Sequence, residues 1–139
     1  MTVNYLMDLF KDCEYIKGYE MGIGYLSDKV NSMSIVPDGD EEIIRKYSDG
    51  AKIKGYNFSL IIRLGAKMGN NSENFSFLDT LCDIISSLTT DDFPEMTNGV
   101  PLDIKIIKGA TLYEDNIHSL KYRIKCRFSY LQEKENYNG

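Results

Sequence analysis

Over residues 52–66 the chain reads KIKGYNFSLIIRLGA. Tyr56, Phe58, Leu60, Ile62 and Leu64 share one parity; Asn57, Ser59, Ile61 and Arg63 share the other. A period of two held over nine residues predicts a half-buried strand, and the rest of the chain is organised around it. The cleanest alternation lies at 119–131, where Tyr122, Ile124, Cys126, Phe128 and Tyr130 face one way and Lys121, Arg123, Lys125 and Arg127 the other. Shorter strands are predicted at 30–36, 42–47 and 102–108. Two stretches carry helical spacing instead. Val3, Leu6, Met7, Phe10 and Cys13 predict an amphipathic helix over 2–16, with Thr2 as its cap. Phe77, Leu78, Leu81, Cys82, Ile85 and Leu88 predict a second over 76–88, with Ser76 and Asp79 as a capping pair.

The breaks between these runs follow turn chemistry. Gly18, Gly22 and Gly24 read as loop glycines, and Pro37-Asp38-Gly39-Asp40 stops the strand before it. Asp49-Gly50 between two strand-like runs is a hairpin signal. Residues 65–72 and 89–99 read as loops, 109–116 as a turn, and 133–139 as a frayed tail. The expected fold is α+β: one domain over 1–132, with a small antiparallel or mixed sheet of four to five strands and two main helices on one face.

At 139 residues the chain can bury a core without staples. Its net charge of −5 argues against a non-specific nucleic-acid binder but leaves room for a local basic strip. Cys13, Cys82 and Cys126 are scattered and odd in number, the pattern of free thiols. No apolar run reaches the length of a membrane span, and the acidic start MTVNYLMDLFKD does not read as a secretory signal. A cytoplasm-like setting without membrane contact is expected.

Candidate chemistry is sparse. His118 is the single histidine, and no nucleophile elbow accompanies it, so a surface or turn position is expected. One histidine and three dispersed cysteines are a poor supply for zinc, and no P-loop motif is present. Asp38, Asp40, Glu41 and Glu42 crowd one loop, and Asp91, Asp92 and Glu95 another; neither follows calcium-loop spacing, so both read as solvated loop charge. No carboxylate pair is singled out for acid–base work. The expectation is a protein without catalytic residues, metal or cofactor. The row Lys121, Arg123, Lys125, Arg127 stands out. Like charges about 7 Å apart on one strand face repel. Such a row is a solvated outer face, a surface for an acidic patch on a neighbouring subunit, or the wall of a channel carrying nucleic acid.

Residues 34–63, SIVPDGDEEIIRKYSDGAKIKGYNFSLIIR, resemble proteins known as minor capsid proteins in phages and prophages of low-GC Gram-positive bacteria. The matching features are Ile35 to Pro37, the Tyr47-x-Asp49-Gly50 turn, the Tyr56-x-Phe58 strand and Arg63 closing it. The resemblance continues in FLDTLCDII and in RIKCRFSYL, and over about residues 3–131 the element order is similar to tail-terminator proteins of long-tailed phages and phage-tail-like bacteriocins. It implies a structural, non-catalytic subunit of a virion or tail-like particle, assembled in the bacterial cytoplasm. Such subunits form a homo-oligomeric ring, a hexamer, that caps the head-proximal end of the tail tube and stops its polymerisation. The ring then meets a head connector or collar (and a sheath if the tail is contractile), with DNA passing through the lumen of a true phage. On that reading Asp38, Asp40, Glu41, Glu42, Asp91, Asp92 and Glu95 fall at tube or neighbour contacts. Lys121, Arg123, Lys125 and Arg127 meet an acidic neighbour or the lumen. The competing readings are a head–tail connector or stopper protein, a small cytoplasmic adaptor or regulatory binding domain, and an enzyme whose site the sequence does not display.

Overall fold

The computed structural model describes residues 2–67, 70–97, 99–115 and 118–133; all but Glu133 of the expected tail lies outside them. The elements run α1 (Thr2–Lys11), β1 (Glu20–Ile23), β2 (Ser32–Pro37), β3 (Glu42–Lys46), β4 (Lys52–Gly65), α2 (Ser72–Ser86), β5 (Gly99–Asp115) and β6 (Ser119–Gln132), with short 3₁₀ turns at Glu14–Ile16 and Thr90–Asp92. The class is the expected α+β, but the sheet has six strands rather than four or five.

The long strand β4 is its axis. β6 pairs antiparallel along the whole of one edge, from Lys52 opposite Gln132 to Gly65 opposite Ser119. The other edge is divided: β2 takes Phe58 to Arg63, and β3 takes Lys52 to Gly55. β1 lies outside β2 and is parallel to it, and β5 closes the far side against β6.

β1 departs from the expected loop at Gly18–Gly24. Its four residues are too few to show alternation, and Gly22 is there for space: a Cβ would sit 2.4 Å from the Tyr25 carbonyl oxygen. β5 runs through the expected turn at 109–116 as far as Asp115. Four register shifts along its pairing with β6 scramble the parity that would have announced it. The hairpin at Tyr47–Ala51 forms as expected, with Gly50 at φ 93° and the Tyr47 amide donating to the Ala51 carbonyl at 2.8 Å.

Both helices cover the same face of the sheet. Val3, Leu6, Met7, Leu9 and Phe10 of α1 and Leu78, Leu81 and Ile85 of α2 pack onto Met33, Ile35, the even-numbered side chains of β4 from Tyr56 to Leu64, and those of β6 from Leu120 to Tyr130. Phe128 is the hub. Its ring lies 5.5 Å from Tyr5, 5.8 Å from Phe93 and 5.5 Å from Tyr130. Side chains of this size bury roughly 1.5–3 kcal/mol of transfer free energy each, so this layer dominates stability. α2 starts four residues before the expected Ser76, which lies inside it. Asn71 precedes it without a capping bond; its amide oxygen accepts from the Lys67 N–H instead. α1 ends at Lys11, and the chain reaches Ile16, another core residue, through the first 3₁₀ turn.

Candidate functional site

The face of the sheet away from the helices carries the polar parity of β2, β4 and β6. There the four basic side chains of β6 are treated very differently. Arg123 donates through Nε to Ser59 Oγ at 2.8 Å and through Nη2 to Asp38 Oδ1 at 3.1 Å. Ser59 Oγ in turn donates to Asp38 Oδ2. The three groups form a closed triangle across β6, β4 and the end of β2. Arg127 repeats the motif one step along: Nε donates to Asn57 Oδ1 at 3.0 Å and Nη2 pairs with Glu42 at 3.2 Å. Lys121 pairs with Glu114 of β5 at 3.1 Å. Lys125 lies opposite Lys108 of β5, is exposed, and has no carboxylate partner among the described residues.

Placement of the acidic loop explains this. β2 and β3 share one edge of β4, so the chain between them crosses beside the basic row and lays Asp38 and Glu42 over the open face. Glu41 turns to the helix side, where it accepts from Tyr130 Oη at 2.6 Å and from Thr2 Oγ1 and lies 3.9 Å from Lys54 Nζ. Asp40 is exposed and has no partner among the described residues. Two carboxylates proposed for a neighbouring subunit are thus engaged by guanidiniums of their own chain. Arg63 is held the same way, to the Ser27 carbonyl and to Ser119 Oγ, both at 2.9 Å.

Asp91, Asp92 and Glu95 lie on the other side of the molecule. Asp92 accepts from the Thr89 N–H at 2.8 Å and closes its 3₁₀ turn, and Phe93 anchors the loop in the core. Tyr5 Oη donates to the Pro94 carbonyl at 2.6 Å, pinning the loop to α1. Asp91 and Glu95 are exposed.

No family model and no curated protein matches this chain.

The resulting charge distribution has two sides. On the open face the strands present Arg63, Lys105, Lys108 and the four cations of β6 against Asp38, Glu42, Asp103 and Glu114, seven positive groups against four negative. The helix layer is the reverse. Residues 2–17 and 72–97 hold nine carboxylates and two lysines, and 72–97 holds no base at all. A chain of net charge −5 therefore displays a basic sheet face backed by an acidic helix face. Sequence reasoning found the basic row but not this opposition, which depends on knowing that both helices cover one side. The signal within reach was the base-free run of residues 72–97.

Cys126 is buried under the helices, which pushes its thiol pKa far up; Cys82 is pushed up by partial burial and the nearby Asp79. His118 is exposed at the start of β6, its carbonyl accepting from the Ala66 N–H. Among the described residues no three metal-ligating side chains cluster, and no helix is long and apolar enough to cross a membrane.

Proposed function

We propose that this protein is a structural subunit of a phage tail or tail-like particle. It forms a head-to-tail ring, a hexamer, that caps the head-proximal end of the tail tube, stops its polymerisation and joins it to a connector or collar. Its partners are further copies of itself, the tube protein, the connector or collar and, in a contractile tail, the sheath. The lumen of the ring admits DNA where a head is present.

The observation that supports this reading is the opposition of a basic sheet face and an acidic helix face. A two-fold contact made through the centre of either face sets that face against its own copy and here opposes like charges. A heterologous contact sets the basic side of one copy against the acidic side of the next, and closes into a ring when the rotation per step allows. With Arg123, Arg127 and Lys121 engaged within the chain, the cations of β5 and β6 on this face left for neighbours or for phosphate, among the described residues, are Lys125, Lys105 and Lys108.

Deletion of the gene tests the role. Tubes of uncontrolled length, restored to a uniform length by complementation, are expected. Tubes of normal length in the deletion strain exclude a terminator, and normal tubes with unattached heads move the protein to the connector reading.

A further inference from the structure

Two surface features with complementary chemistry are left partly open by the fold. The first is the hairpin arm formed by β3 and the start of β4, where Ile44 rests one side of its chain over Gly55 and keeps the other exposed. Every residue from Glu42 to Gly50 is exposed, including Ile43 at 48%, Ile44 at 47% and Tyr47 at 39%. β3 pairs with β4 on one side, and among the described residues no strand pairs with its other edge. The arm is preorganised: its turn is closed by backbone hydrogen bonds, and the Arg45 guanidinium lies 5.1 Å from the centre of the Tyr47 ring. Ile43 and Ile44 stand directly beside Arg45 and Lys46, so this part of the arm offers apolar and basic groups side by side.

The second feature is a groove between α1 and α2 with a volume of about 190 Å³. Leu9, Phe10 and Ile85 form its floor, Leu88 and Cys13 line its sides, and Asp12 stands exposed at its rim with Asp92. It is apolar and acidic, with room for a branched aliphatic side chain. Thr2, at the far end of α1, touches Glu41 at the root of the arm. The groove lies at the opposite end of that helix, about 12 Å further along its axis.

We propose that the hairpin arm of one copy docks in the α1–α2 groove of the next. Ile44 enters the apolar floor, and Arg45 and Lys46 meet Asp12 and Asp92. Apolar matches apolar and basic matches acidic, and the contact joins two different surfaces of the same chain; made head to tail, it propagates from copy to copy. The docking rests on the head-to-tail reading above and names the surfaces that meet.

Cys13 gives a direct test, because it lines the groove. An Ile44→Cys variant under mild oxidation is expected to form a disulfide between position 44 of one copy and Cys13 of another, since docking brings their Cα atoms within the roughly 4.4–6.8 Å a disulfide spans. A non-reducing gel then shows a ladder in steps of 15.9 kDa that a reductant collapses and a Cys13→Ser change abolishes. A ladder that survives Cys13→Ser overturns the docking. So do oligomers in native mass spectrometry of the unaltered protein with no linkage between positions 44 and 13, and that outcome leaves the ring standing. A monomer at every concentration, with no linkage, overturns both.

Discussion

The Asp38–Ser59–Arg123 triangle makes a prediction that separates neighbours on the same strand face. Arg123→Ala removes two charge-assisted hydrogen bonds, to Ser59 Oγ at 2.8 Å and to Asp38 at 3.1 Å, and leaves the Ser59–Asp38 bond. Bonds to charged groups contribute about 1.5–3 kcal/mol each when well formed. The Arg123 and Asp38 side chains are 31% and 27% exposed, so solvent screens part of this, and a total loss of about 1.5–3 kcal/mol is expected. For a chain of 139 residues one kcal/mol moves Tm by about 3 °C, so Arg123→Ala lowers Tm by roughly 5–10 °C. Lys125→Ala, two residues away on the same face, removes no bond and relieves repulsion from Lys108; its Tm stays within about 2 °C. Thermal unfolding followed by circular dichroism measures both. An Asp38→Ala/Arg123→Ala double-mutant cycle should give a coupling of about 1 kcal/mol or more. Equal shifts for the two substitutions, or no coupling, would refute the claim that the arginine is clamped and the lysine is not. It follows that Lys125→Glu is the clean probe of this face in assembly, whereas reversing Arg123 disturbs the fold as well.

Other consequences are equally open to measurement. Gly22→Ala forces a Cβ to within 2.4 Å of the Tyr25 carbonyl oxygen, so the backbone of β1 must move; a loss of about 1–3 kcal/mol is expected, read as a lower urea midpoint with an unchanged slope. Cys126, buried and with its pKa pushed far up, should resist a thiol reagent until denaturant is added, whereas the half-buried Cys13 reacts in the native protein. Burial pushes the Tyr5 phenol up to about 12, and Tyr130 is pushed up by burial and by its hydrogen bond to Glu41. An unfolded tyrosine ionises near pH 10 while these still hold their protons, so stability is full below about pH 10 and falls as pH rises towards 12. Denaturant midpoints across that range, with tyrosinate absorbance in parallel, check the sign; a midpoint that rises with pH would contradict it.

The sequence was most legible where one parity is buried and the strand is regular. β4 and β6 pair without a register shift over fourteen residues, and their alternation was plain. β5 was half legible: Leu102 to Lys108 announced itself, but Lys108-Gly109-Ala110-Thr111 spans a register shift, and the shifted parity read as a turn. β1 was hidden by its length and by the glycines around it. The early start of α2 was hidden because Ser72, Glu73 and Ser76 face outward and only Leu78 begins the buried stripe. At the candidate site, the basic row was visible from its spacing. The carboxylates that clamp it were not, because Asp38 stands 85 residues before Arg123 and meets it only through the division of one β4 edge between β2 and β3.

The central claim is a position: one end of a tail tube. Immunogold labelling of tail-like particles pelleted from induced source cells measures that position in the electron microscope. Gold at the head-proximal end of each tube, and nowhere along its length, is the expected result. Gold absent from all particles, with the protein wholly in the soluble fraction, would contradict the account and return the chain to the adaptor reading.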